Sequence, residues 1–246
     1  MSPIPLAAAG PVIPSFGNPN AYACERANRL FCWGWVSKNW STVLWPALRQ
    51  HVALTVIAVG VGFAIATTLA LLAYRYRRVE QPVIVVTTIF YTIPSLALFE
   101  LLVGVPGLGL SRTTAEVALV SYTLLIIFRN TLTGFRDVPA EVREAASGMG
   151  MTARQVLLRV ELPMALPAII AGLRIATVST IALATIAALI CDQGLGVPIL
   201  SAISDSVFKT ELIAAGGMAV ALAIAADGLL VGVQRLLTPW ARRHAR

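Results

Sequence analysis

Few residues in this 246-residue chain are disposed for chemistry. No GxxxxGK[ST] occurs, so no nucleotide-phosphate cradle is expected and the chain is not read as an ATPase. No H-E-x-x-H and no Ser-His-Asp grouping is present, and no enzymatic activity is expected. Cys24, Cys32 and Cys191 show no CxxC spacing, and His51 and His244 lie far apart, which gives a metal site little support; no cofactor is expected. Cys24 and Cys32 are free to pair if both lie outside, although inert, isolated thiols are the favoured reading. What remains is electrostatic. One concentration of charge is the stretch EVREAASGMGMTARQVLLRVELPMALP, residues 141–167, set between strongly apolar sequence on both sides. The other is a pair of charges, Arg174 and Asp227, each inside an apolar run.

The elements that must position these groups follow from composition. Only 13% of residues are charged and 57% are hydrophobic, with mean hydropathy +0.79. A soluble domain carries about a quarter charged residues. Residues 52–73 hold no charge at all, and about twenty apolar residues cross a bilayer as a helix. The class expected is therefore an all-α, polytopic membrane protein embedded in a lipid bilayer. Five spans are expected, at about 51–74, 82–104, 113–134, 165–190 and 211–234, forming a membrane domain over 51–238. Before them, Trp33, Trp35, Trp40 and Trp45 suit a membrane interface, and residues 31–50 are read as an interfacial helix; a sixth span there is the alternative. Residues 1–30 have no basic n-region, so no cleaved signal peptide is read, and their Pro, Gly and Asn content implies a mobile tail. Residues 239–246 are read as a basic tail.

The net charge of +7 would point to nucleic acid in a soluble chain. Here the cations sit at the ends of apolar runs, so no nucleic-acid partner is expected. With the N-terminus outside, the inner segments hold Arg75, Arg77 and Arg78, then Arg129, Arg136, Arg143, Arg154 and Arg159, then Arg235, Arg242, Arg243 and Arg246. The outer ones hold Arg26, Arg29, Lys38, Arg49, Arg112 and Lys209. Twelve against six satisfies the positive-inside rule, which expects the polar loop and the C-terminus in the cytoplasm of a cell-membrane protein.

That polar loop, about 137–163, reads as two short helices. Pro139 suits a first helical turn, and Glu141 and Glu144 suit the positive end of a helix dipole. Gly148 and Gly150 break the helix. Thr152 is placed to cap a second one, in which Val156, Leu157 and Val160 make an apolar stripe, and Pro163 is expected to end it. The result is a knob too small to fold alone.

These residues resemble the permease subunits of binding-protein-dependent ABC importers. The family signature is EAA, three residues, Gly, nine residues, Ile, one residue, Leu-Pro. It is met here by Glu144-Ala145-Ala146, Gly150, Val160 in place of isoleucine, and Leu162-Pro163. YTIPSLALFELLVGVPGLG (91–109), RNTLTGFRDVPAEVREAASGMGMT (129–152), LPMALPAIIAGLRIAT (162–177) and IAADGLLVGVQRLLTP (224–239) are similar to the osmoprotectant branch, which imports glycine betaine, choline, carnitine or proline-like solutes. The turn CDQGLG, 191–196, departs from the run of glycines usual in that branch. The resemblance implies the five-helix type I ABC importer fold of the methionine permeases, with the N-terminal interfacial helix added. It implies that the knob is a coupling helix, with Glu141, Glu144, Ala145, Ala146, Gly150, Leu162 and Pro163 engaging an ATPase. The implied partners are two ABC ATPase subunits, a second permease copy or a paralogous permease, and an extracytoplasmic solute-binding protein. A methionine or other amino-acid permease remains a rival within the fold.

Within the spans, Arg174 and Asp227 lie at similar depth, so an intramembrane pair is one reading and snorkelling of Arg174 the other. Tyr91, Pro94, Ser95 and Tyr122 are candidate pathway residues. Aromatic faces, including Phe90 and Phe99, can hold a quaternary ammonium, though ordinary packing is the favoured reading. Gly60, Gly62, Gly172, Gly216 and Gly217 fit close helix contact. Two other classes stay open: an ion-coupled secondary transporter with Asp227 as its ion or proton site, and a membrane scaffold.

Overall fold

The computed structural model of the protein describes residues 22–204 and 207–242. No strand occurs among them. The expected mobile tail, 1–30, lies outside the described residues up to 21, and the basic tail does so from 243. Eleven α-helices follow in order: α1 (Ala23–Arg26), α2 (Trp33–Asn39), α3 (Trp45–Arg75), α4 (Arg77–Thr92), α5 (Ser95–Val103), α6 (Arg112–Arg136), α7 (Ala140–Gly148), α8 (Ala153–Val156), α9 (Leu162–Cys191), α10 (Gly196–Ser204) and α11 (Lys209–Leu237). Four helical runs are long and apolar enough to cross a membrane, and α4 with α5 makes a fifth if the bent pair counts as one crossing.

The centre of the bundle is α6, which packs against both α3 and α9. Close approach comes from small residues. A Cβ on Gly62 of α3 would fall 1.8 Å from Thr123 Oγ1, and one on Gly172 of α9 would fall 2.5 Å from Asn130 Cβ. Gly60, Gly216 and Gly217 have nothing within 4 Å of that position, so the expected close contact is absent at these three. Buried threonines stay satisfied in apolar surroundings by donating to carbonyls four residues back, as Thr55 does to His51 and Thr180 to Ala176.

Several boundaries differ from expectation for local reasons. The tryptophan segment is helical and runs on into the first span without a break. A π-turn over Trp40–Leu44 joins α2 to α3, giving one helical run from Trp33 to Arg75. Pro163 does not end its helix. It sits in the first turn of α9, where a missing N–H is tolerated, and a π-turn over Leu157–Glu161 links it to α8. The run is therefore continuous from Ala153 to Cys191. The second expected span is instead broken: α4 and α5 meet at 98° across Ile93 and Pro94. Ile93 is extended there, and its freed carbonyl accepts the Tyr122 hydroxyl at 2.5 Å.

Residues 22–39 are held rather than loose. Cys24 and Cys32 form a disulfide, which corrects the reading of two isolated thiols. The pair was illegible because the short α1 and its turn bring together Cα atoms eight residues apart in sequence, to 5.6 Å. Asn28 donates to the Val207 carbonyl and accepts from the Lys209 N–H, Thr210 Oγ1 donates to the Arg29 carbonyl, and Trp35 packs edge-on against Phe208.

Candidate functional site

The charged stretch folds into a protrusion beyond the end of the bundle. Helix α7 starts after Pro139, with Glu141 in its first turn, and closes with a Schellman arrangement. Met151 N–H donates to the Ala146 carbonyl, Gly150 N–H donates to Ser147, and Gly150 itself takes φ +83°. That left-handed position favours glycine because a Cβ would crowd the backbone. Thr152 then caps α8 through a box with Gln155, whose side chain accepts from the Thr152 N–H at 2.8 Å.

The signature residues divide by exposure. Glu141, Glu144, Ala145 and Gly150 are exposed, together with Met149 at the tip, whose 72% exposure the motif did not single out. Ala146 is buried. Leu162 is half-buried and packs beside Phe135, Ala165 and Ile169, and Pro163 is half-buried next to it.

A linkage that the sequence reading missed fastens the knob to the bundle. Tyr74, near the end of α3, donates its hydroxyl proton to Glu161 Oε1 at 2.7 Å. Arg143 of α7 donates Nη1 to the same hydroxyl at 2.9 Å and lies 3.9 Å from Glu161. Glu161 is 6% exposed, so burial of its carboxylate requires this partnership. Its only trace in the sequence is an acid inside the apolar context of residues 156–163. The three residues join α3, α7 and the π-turn before α9.

On the flank of the bundle, Arg174 of α9 and Asp227 of α11 meet side on. Nε donates to Oδ1 at 2.8 Å and Nη2 to Oδ2 at 2.9 Å, a bidentate pair. Their side chains remain 32% and 37% exposed, in a cavity of about 390 Å³ that also includes Ala171, Ile175, Val178 and Ser179. The other candidates gather at the α4–α5 break. Pro94 and Ser95 begin α5, and Tyr91 meets Tyr122 edge-on with centroids 6.1 Å apart. Tyr91 is 46% exposed, whereas Tyr122 and Phe99 are buried in the core.

At the end opposite the knob, His51 and Gln50 clasp the CDQGLG turn. Asp192 and Gly194 take left-handed φ of +48° and +85°. The Gly194 N–H donates to Gln50 Oε1 at 3.1 Å, and the Leu195 N–H donates to His51 Nδ1 at 3.2 Å. Nδ1 is thus an acceptor, so the proton sits on Nε2, which donates to the Ile181 carbonyl at 3.0 Å. A lone histidine gave no sign of this in the sequence.

Residues 47–243 match the model of the family described as "Binding-protein-dependent transport system inner membrane component". The chain belongs to this family. It is 42% identical to the osmoprotectant import permease protein OsmW of Salmonella typhimurium, over 77% of this chain and 89% of that one. It is 37% identical to the choline transport system permease protein OpuBB of Bacillus subtilis, over 77% and 86%, and 37% identical to the carnitine transport permease protein OpuCB of Listeria monocytogenes, over 80% and 89%. Among solved structures, a chain of the MetNI methionine ABC transporter in an inward-facing conformation superposes with a TM-score of 0.70. It covers 82% of this chain and 99% of that one at 20% identity, and so shows the shared fold. The chain is thus a multi-pass membrane component of a binding-protein-dependent transport system, with the helical fold of an ABC importer permease.

Proposed function

We propose that this chain is the permease of an ATP-driven importer for small quaternary-ammonium osmoprotectants such as glycine betaine, carnitine or choline, and that the α7–α8 knob receives the ATPase. The observation that carries this reading is the knob itself. Its glycine-closed turn presents Glu141, Glu144, Ala145 and Met149 to solvent, on a segment tied to α3 through Tyr74. Names borne by relatives at 37–42% identity supply the solute class. The partners are two ATPase subunits, a second permease (a copy of this chain or a paralogue) and an extracytoplasmic binding protein. Alternating access follows: closure of the ATPase pair draws two knobs together and turns the permeases outward.

The knob and C-terminus belong in the cytoplasm on this reading. Arginine bias supports that orientation. So does the Cys24–Cys32 disulfide at the opposite end, since disulfides persist in oxidising compartments. Asp227 is held bidentate by Arg174.

The test is uptake of radiolabelled glycine betaine, carnitine and choline into proteoliposomes holding the whole complex, with ATP inside or absent. ATP-dependent uptake that is lost in Glu144→Ala together with ATPase copurification is the expected result. Uptake indifferent to ATP, or retained after removal of residues 140–152, overturns the proposal.

A further inference from the structure

A charged pair exposed on the flank of a membrane bundle needs a reason. Arg174 lies eleven residues beyond Pro163 and Asp227 eight before Arg235, about 12–17 Å from the knob end of the bundle at 1.5 Å per residue. Charges at such depth face a bundle interior or a water-filled cavity, because contact with lipid is costly. This pair is not enclosed by its own chain: about a third of each side chain is open, and Ile175 beside them is 54% exposed. The open side therefore faces the interior of the assembly and not lipid.

The pair also has capacity left over. Arg174 uses Nε and Nη2 on Asp227, and Nη1 has no hydrogen-bond partner among the described residues. A guanidinium carries five N–H donors and a carboxylate about four acceptor positions. The adjoining cavity, about 390 Å³, lies within the range of small-molecule sites. A zwitterion brings one charge of each sign at a separation set by a short carbon chain. Its carboxylate can take the Arg174 guanidinium while its ammonium lies against Asp227, so that one ion pair is exchanged for two and no charge is left bare. A plain cation can use only Asp227. Because the resident pair competes, such a site binds weakly, as a passage should.

We infer that Arg174 and Asp227 form an exchange site for small zwitterionic solutes on the translocation path, the guanidinium taking the carboxylate end and Asp227 the ammonium end. This inference rests on the importer reading above.

The test uses the permease–ATPase complex in nanodiscs without binding protein, and reads the shift of its melting midpoint with glycine betaine or choline at 100 mM. A ligand at ten times its Kd stabilises by about 1.4 kcal/mol, which is a rise of a few °C. Wild type is expected to shift with both probes. Arg174→Ala is expected to lose the glycine betaine shift and keep the choline shift; Asp227→Asn is expected to lose both. If either variant fails to assemble, the neutral double variant Arg174→Gln/Asp227→Asn leaves no unpaired charge and is expected to lose both shifts. A purely structural pair would lower the melting midpoint of the variants but leave both ligand shifts in place, and that result overturns the site. So does a wild-type complex that shifts with neither probe, or an Arg174→Ala complex that loses both equally. ATP-driven uptake by the wild type decides the importer reading separately: with uptake intact and shifts unaffected, only the site is lost.

Discussion

Replacing Tyr74 by Phe removes a single oxygen from the joint between knob and bundle. The ring stays, stacked on Phe135 with centroids 5.3 Å apart, so the packing contribution is unchanged. What goes is the donor to Glu161 at 2.7 Å and the acceptor for Arg143 at 2.9 Å. Glu161 then keeps only Arg143, 3.9 Å away and itself 34% exposed at the side chain. A hydrogen bond to a charged group contributes about 1.5–3 kcal/mol, and the partial exposure of Arg143 places the loss toward the lower value. A tenfold change in an equilibrium is about 1.4 kcal/mol, so detachment of α7 from its seat rises by roughly tenfold or more. Amide hydrogen exchange of the complex reads this directly. Exchange across α7 is expected to rise by about that factor, with α6 unchanged, and uptake per ATP hydrolysed to fall. The reciprocal substitution, Glu161→Gln, leaves a neutral acceptor and removes the need for a charged partner. The double variant Tyr74→Phe/Glu161→Gln is therefore expected to be less impaired than the two single losses would sum to. Unchanged α7 exchange in Tyr74→Phe, or strict additivity in the double variant, would refute the idea that this trio fastens the knob.

Four further variants separate contact from mere composition. Gly62→Ala drives a methyl into Thr123 and is expected to cost about 1–3 kcal/mol by overpacking, whereas Gly60→Ala, with nothing within 4 Å, is expected to leave the melting midpoint of the complex unmoved. Gly150→Ala forces a side chain to φ +83°, a cost of about 1–2 kcal/mol, and is expected to reduce ATPase copurification without displacing the helices of the bundle. The disulfide closes a loop whose cysteines are eight residues apart, so Cys24→Ala/Cys32→Ala is expected to lose about 2–3 kcal/mol on a loop-closure estimate; faster proteolysis confined to residues 22–39 is the readout.

Much of this architecture was legible because a backbone in lipid must satisfy its own hydrogen bonds. Runs such as 52–73 therefore announce helices by hydropathy alone, and the knob announces itself by Glu144, Ala145, Ala146 and Gly150 at fixed offsets. What stayed hidden depends on partners far away in the chain. Three prolines show the difference. Pro163 and Pro167 lie in a helix that runs on through them, yet at Pro94 the chain turns by 98°. Nothing local to Pro94 says so. The bend holds because the Ile93 carbonyl meets the Tyr122 hydroxyl, donated from α6, twenty-nine positions along the chain. Likewise Glu161 is tolerated at a π-turn because Tyr74, eighty-seven positions earlier, reaches it. His51 holds the turn at 192–195 from 144 positions away. In each case a polar atom freed by an irregular backbone, or buried beside one, is satisfied by a single side chain from another helix. Hydropathy sets how many helices there are, and these few long-range hydrogen bonds set where they break. One continuous helical run from Ala153 to Cys191 carries α8 and Arg174 and ends at the far turn. Between α8, at the base of the knob, and Arg174 the backbone is helical throughout.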